Sequence, residues 1–76
     1  MTFDLDKIDD AALALLYLTL NRKDHRAWKT IDYDVMDRLH EKGFILDPVG
    51  KAKSVVLTEE GMAAAERLAQ RLFGQN

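Results

Sequence analysis

The sequence has no cysteine, and that one absence removes thiolate nucleophiles, thiolate zinc ligands and disulfide staples together. Serine is nearly as scarce. Ser54 is the only serine and lies in an expected strand, with neither a base nor an oxyanion-stabilising turn evident beside it, so a nucleophile is hard to find. The four glycines, at 43, 50, 61 and 74, are too scattered for a Rossmann or Walker phosphate loop. Two histidines, His25 and His40, make a weak signal for a metal centre, which would want more nitrogen or oxygen ligands converging. Long hydrophobic runs are missing as well: the longest, residues 11–18, falls far short of the roughly 20 residues a membrane helix needs. The beginning, Met1-Thr2-Phe3-Asp4-Leu5-Asp6, is acidic where a secretory signal would be basic and then apolar. These absences predict a cytoplasmic protein that is not an enzyme, with no cofactor, no metal, no small-molecule substrate and no membrane partner.

What is present is charge in blocks. The net charge of -2 conceals segments of alternating sign. Residues 2–10 are acidic; residues 21–29 are basic through Arg22, Lys23, Arg26 and Lys29; residues 32–41 are acidic again through Asp32, Asp34, Asp37 and Glu41; and residues 42–53 carry Lys42, Lys51 and Lys53. With 76 residues and no disulfide, one core has to carry the fold. A core of that size rarely yields more than about 3–5 kcal/mol, so a second copy is the simplest source of added stability.

Capping chemistry and hydrophobic spacing predict the elements. A first helix is expected from about Asp6 to Leu20, with Asp4 or Asp6 as cap and Phe3 and Ile8 as a staple if Asp4 is the cap. Between Ala11 and Leu20 only Tyr17 and Thr19 carry a polar group, so apolar surface runs all the way round and asks for cover on two sides. One helical turn is expected at His25 to Lys29, anchored by Trp28. The next helix spans about Asp32 to Lys42, with Thr30 or Asp32 as cap and Ile31, Val35, Met36 and Leu39 facing inward. Gly43 reads as its left-handed terminator, with Phe44 folding back on the last turn. Residues 44–46 and 54–57 read as strands of a hairpin joined through Asp47-Pro48-Val49-Gly50-Lys51-Ala52-Lys53, whose tip is cationic. Thr58 caps a last helix reaching about Phe73, with Met62, Ala65, Leu68, Ala69 and Leu72 buried.

Residues 37–68, with Leu39-His40-Glu41-Lys42-Gly43-Phe44-Ile45 followed by Val55-Val56-Leu57-Thr58-Glu59-Glu60-Gly61, resemble the second half of a MarR-type winged-helix regulator. That resemblance implies a helix before Gly43 that enters the DNA major groove, a hairpin wing at the minor groove and a last helix that helps dimerise. The chain departs from the pattern in lacking room for the full preceding helix, in having no arginine in its wing and in carrying an acidic reading helix. Its whole length is similar to a family of short bacterial proteins described as a domain of unknown function, through Lys7-Ile8-Asp9-Asp10-Ala11, Leu15-Leu16-Tyr17-Leu18, Ala27-Trp28-Lys29 and Asp47-Pro48-Val49-Gly50-Lys51-Ala52-Lys53-Ser54-Val55. The likeness implies a shared fold and a bacterial origin.

The expected fold is therefore α+β and mostly helical: one winged-helix-like domain over residues 1–76, with three main helices, one short helical turn and a β-hairpin wing in the order α-α-α-β-β-α. Two functions fit it. The first is a DNA-binding module, duplex phosphates being met by Arg22, Lys23, Arg26, Lys29, Lys51 and Lys53 and base edges by Arg38. The alternative is a protein-interaction adaptor or homodimeric structural module without DNA. A homodimer is expected in either case, with Leu13, Tyr17, Leu20, Leu72 and Phe73 at its interface. Asp37, His40 and Glu41 share a helix face, but the expectation for His40 is to help close its helix end, not to bind metal.

Overall fold

The computed structural model describes residues 2–21, 23, 25–28, 33–46 and 54–75, and the side chains of Trp28 and Tyr33 lie outside that description. The chain runs α1 (Leu5–Leu18), β1 (Arg26–Trp28), α2 (Tyr33–Glu41), β2 (Ser54–Val56) and α3 (Glu59–Phe73). It is mostly helical, with three helices and a small two-stranded antiparallel sheet, as the α+β expectation has it.

The start of α1 and the end of α2 each have a local chemical cause. Asp4 caps α1 through its carboxylate, which accepts from the amides of Asp6 and Lys7 at 3.0 and 3.2 Å. Phe3 and Ile8, the expected staple, both remain exposed. At the end of α2 the Gly43 amide donates to the His40 carbonyl at 2.9 Å and the Phe44 amide to the Leu39 carbonyl at 3.0 Å. This nested pair needs a left-handed residue, and Gly43 supplies it with φ +82°. Phe44 then packs against the core, as expected of the residue after such a turn.

Strand β2 is the centre of the extended region. On one side it pairs with β1, Arg26 opposite Val56, Ala27 opposite Val55 and Trp28 opposite Ser54. The Leu57 amide continues that ladder to the His25 carbonyl at 2.8 Å. On the other side Ile45 bridges Leu57, and the Leu46 amide donates to the Val56 carbonyl at 2.9 Å. Two expectations are corrected by this. Residues 26–28 are a strand and not a helical turn, because their backbone finds partners in 54–56. The main ladder also joins β2 to β1, while 45–46 contribute a short flank. The joining residues 47–53 lie outside the described residues, as do Ile31, Asp32 and the cap position Thr30.

Alternation along these segments turns Ala27, Ile45, Val55 and Leu57 inward, all buried. They meet Ala12, Leu13, Ala14 and Leu16 of α1, Val35, Met36 and Leu39 of α2, and Ala64, Ala65, Leu68 and Ala69 of α3 in one core. Leu72, expected inside, is 45% exposed, and Met62 is only partly buried. No helix among the described residues is long and apolar enough to cross a membrane.

Candidate functional site

The most concentrated chemistry sits where the first half of α1 meets the end of α2. Asp9 projects from the same side of α1 as Ala12, Leu13 and Leu16 and is wholly buried. A buried carboxylate demands compensation, and two cations supply it, Arg38 on α2 and Lys42 just past its end. Arg38 Nε donates to both Asp9 oxygens at 2.9 Å, and its Nη2 lies 2.9 Å from Oδ1. Lys42 Nζ donates to Asp9 Oδ2 and to Asp6 Oδ1, each at 3.0 Å. Burial pushes the Asp9 carboxyl upward, yet the hydrogen bonds and charges of Arg38 and Lys42 outweigh it and hold the group below the ordinary carboxylate value. Burial likewise opposes the Lys42 ammonium, and the bonds to Asp6 and Asp9 prevail and raise it above the ordinary lysine value.

These directions fix how stability responds to pH. A carboxyl depressed in the folded state contributes stability that is complete above its unfolded value and is lost as pH falls through its folded one. An ammonium raised in the folded state contributes fully below its unfolded value and loses that contribution as pH rises through the folded one. Thermal melting is therefore expected to be level across neutral pH and to fall as pH drops through the carboxylate range, with an acid limb that flattens in Asp9→Asn. An acid limb unchanged by that substitution would contradict the assignment.

A second knot joins α2 to α3. The Thr58 amide donates to the Phe44 carbonyl at 3.0 Å; its hydroxyl donates to the Gly43 carbonyl at 2.7 Å and accepts from the Gly61 amide at 2.9 Å. Thr58 thus caps α3 as expected and also fastens the turn that ends α2. Gly61 approaches so closely that a Cβ there would lie 1.8 Å from the Phe44 carbonyl oxygen.

The residues expected at a DNA surface fare unevenly. Arg38, the expected base reader, has its guanidinium engaged on buried Asp9. Around it, Asp34, Asp37 and Glu41 are exposed on the same face of α2. Lys23 is exposed, its amide donating to Asn21 Oδ1 at 3.0 Å. Arg26 is exposed with Nη1 donating to Ser54 Oγ at 3.3 Å. Arg22, Lys29, Lys51 and Lys53 lie outside the described residues. His40 Nδ1 faces the Ile45 carbonyl at 3.1 Å. Because a carbonyl can only accept, Nδ1 carries the proton in this contact, which stitches the helix to the segment after it. Among the described residues no three His, Asp or Glu side chains converge as a metal site.

The expected self-association residues are also redistributed. Leu13 is wholly buried in the chain's own core, which removes it from any surface, and Tyr17 and Leu20 pack partly against that core. Leu72 and Phe73 are each 45% exposed. Sequence reasoning missed Leu5, Ile8, Leu15 and Leu18, which α1 turns outward. It missed Asp9 too, although a carboxylate three, four and seven residues before Ala12, Leu13 and Leu16 marks a charge on an apolar face.

Known proteins add lineage to this geometry. No solved structure matches the chain. The protein called "Uncharacterized protein y4hR" of Sinorhizobium fredii (strain NBRC 101917 / NGR234) is 58% identical over 73 residues, spanning 96% of this chain and 97% of that one. Residues 4–75 match the family described as "Domain of unknown function (DUF6429)", and the chain belongs to it.

Proposed function

We propose that the protein is a non-catalytic, cytoplasmic, winged-helix-like module that works by protein contact and does not read DNA through α2. The observation that carries this reading is the pairing of Arg38 with buried Asp9 beneath an exposed row of Asp34, Asp37 and Glu41. A helix entering the major groove has to bring cations to within a few ångströms of phosphate. Here the exposed charges are negative, and the one arginine is held by an internal partner. The winged-helix-like description is supported by β2 lying between 25–28 and 45–46, with a helix before and after, and by the MarR-type likeness of residues 37–68. Protein contact is supported by the large apolar side chains left exposed on α1 and α3.

Titration of a labelled duplex at low and moderate salt tests the reading. No binding is expected even at low salt, where phosphate contacts are strongest. Binding that weakens steeply with salt and is lost in Lys51→Ala/Lys53→Ala would overturn it in favour of a wing-led DNA module.

A further inference from the structure

We infer that the partner this module meets first is a second copy of itself, through antiparallel pairing of α1 with α1 across a two-fold axis. The inference rests on the protein-contact reading and names its partner. Along α1 the large apolar residues turned away from the core are Leu5, Ile8, Leu15 and Leu18, 52%, 38%, 48% and 60% exposed, with Ala11 half-buried in line with them. From Ile8 onward their spacing of three, four and three is the spacing of a two-helix seam, and Leu5 continues it one turn earlier. The opposite side of the helix is closed, since Asp9, Ala12, Leu13, Ala14 and Leu16 are buried within the chain. A helix apolar on both sides with one side covered is left with a seam of defined register.

Register and polarity follow from the residues on that seam. Antiparallel pairing centred on residues 8–18 sets Ile8 opposite Leu18 of the other copy and Ala11 opposite Leu15, so a small residue faces a large one at each inner layer, with Leu5 one turn beyond. Charge selects the same direction. Exposed Asp4 lies at the head of the stripe, and exposed Lys23 follows its tail. Antiparallel copies bring each Asp4 toward the other's Lys23 and oppose the two helix dipoles, whereas parallel copies set Asp4 on Asp4 and Lys7 on Lys7. Arg71 Nη2, 3.9 Å from Asp10 Oδ2, holds the end of α3 beside this part of α1, which brings half-exposed Leu72 and Phe73 to its neighbourhood. Apolar burial supplies the affinity and the end charges supply the direction.

The absence of cysteine allows a direct test. Equal amounts of Ala11→Cys and Leu15→Cys chains, one of them tagged, are mixed and oxidised. The mixed 11-to-15 disulfide is expected to form faster than either self-pair, because only that pair brings the Cα atoms within bonding range. Dominant 15-to-15 linkage would overturn the antiparallel register. Light scattering after size exclusion is expected to give twice 8.7 kDa for the natural chain at tens of micromolar. Leu15→Glu and, separately, Leu18→Glu are expected to weaken the pair about tenfold or more, and Lys23→Glu about threefold. Both seam positions are already exposed, so helical circular dichroism is expected to persist in both variants. A single-chain mass for the natural protein overturns self-pairing; if duplex titration is also silent, protein contact stands with another partner. Duplex binding by a dimer would instead overturn the protein-contact reading and leave the pairing intact.

Discussion

Replacing Gly61 by alanine is expected to lower the melting temperature by about 10 °C or more, although alanine is the better helix former by about 1 kcal/mol. The added methyl carbon would lie 1.8 Å from the Phe44 oxygen and 2.7 Å from its carbonyl carbon, and both are backbone atoms. They cannot swing aside as a flexible side chain would. The Phe44 carbonyl accepts the Thr58 amide, and the neighbouring Gly43 carbonyl accepts the Thr58 hydroxyl. Opening the gap therefore loosens the cap of α3 and the terminator of α2 together. Overpacking of this kind costs about 3 kcal/mol, against a gain of about 1 from propensity. The net loss of about 2 kcal/mol is a large share of what a core of this size supplies. Ala63→Gly, at an exposed position of the same helix, is the control and is expected to cost only the propensity difference of about 1 kcal/mol. Urea or thermal unfolding of the two variants checks the order, and a Gly61→Ala protein more stable than the natural one would refute the close approach.

The second large effect concerns Asp9. Truncation to alanine removes the one carboxylate that both Arg38 and Lys42 address from inside the fold. Breaking a fully buried ion pair costs about 3–5 kcal/mol because a charge is stranded. Arg38 and Lys42 keep 26% and 31% of their side-chain surface in water and can turn outward, so about 2 kcal/mol is expected here. A double-mutant cycle separates this pairing from simple loss of packing. If the network is what α2 leans on, Asp9→Ala/Arg38→Ala will be clearly less destabilised than the two single losses added together. Strict additivity would mean that Asp9 matters only as volume.

The helix ends were open to sequence reasoning because caps are local: Asp4, Gly43 and Thr58 each act on amides or carbonyls a few residues away. The inward faces of α2 and α3 were open for a similar reason, through the spacing of Val35, Met36 and Leu39 and of Ala65, Leu68 and Ala69. Strand β1 was not. Residues 26–28 become a strand through pairing with 54–56, and nothing in Arg26-Ala27-Trp28 records that distant ladder. The inward side of α1 was hidden for the opposite reason. With Leu13, Leu15, Leu16 and Leu18 all apolar, the sequence holds no polar stripe to mark which of them meets water, and only the positions of α2 and α3 decide that Leu13 is core and Leu15 is surface. The pairing of Arg38 depends on Asp9, 29 residues away, and nothing around Arg38 in the sequence marks that partner. Gly61 did leave a signal, because a glycine inside a helix asks for a reason, and the carbonyl of Phe44 is that reason.

Sedimentation of the unmodified protein mixed with a labelled duplex at low salt tests the central claim most directly, because one run reads both boundaries. The account predicts protein moving at twice 8.7 kDa and DNA moving as if alone. Protein at single-chain mass, or DNA carried along with it, would contradict the account.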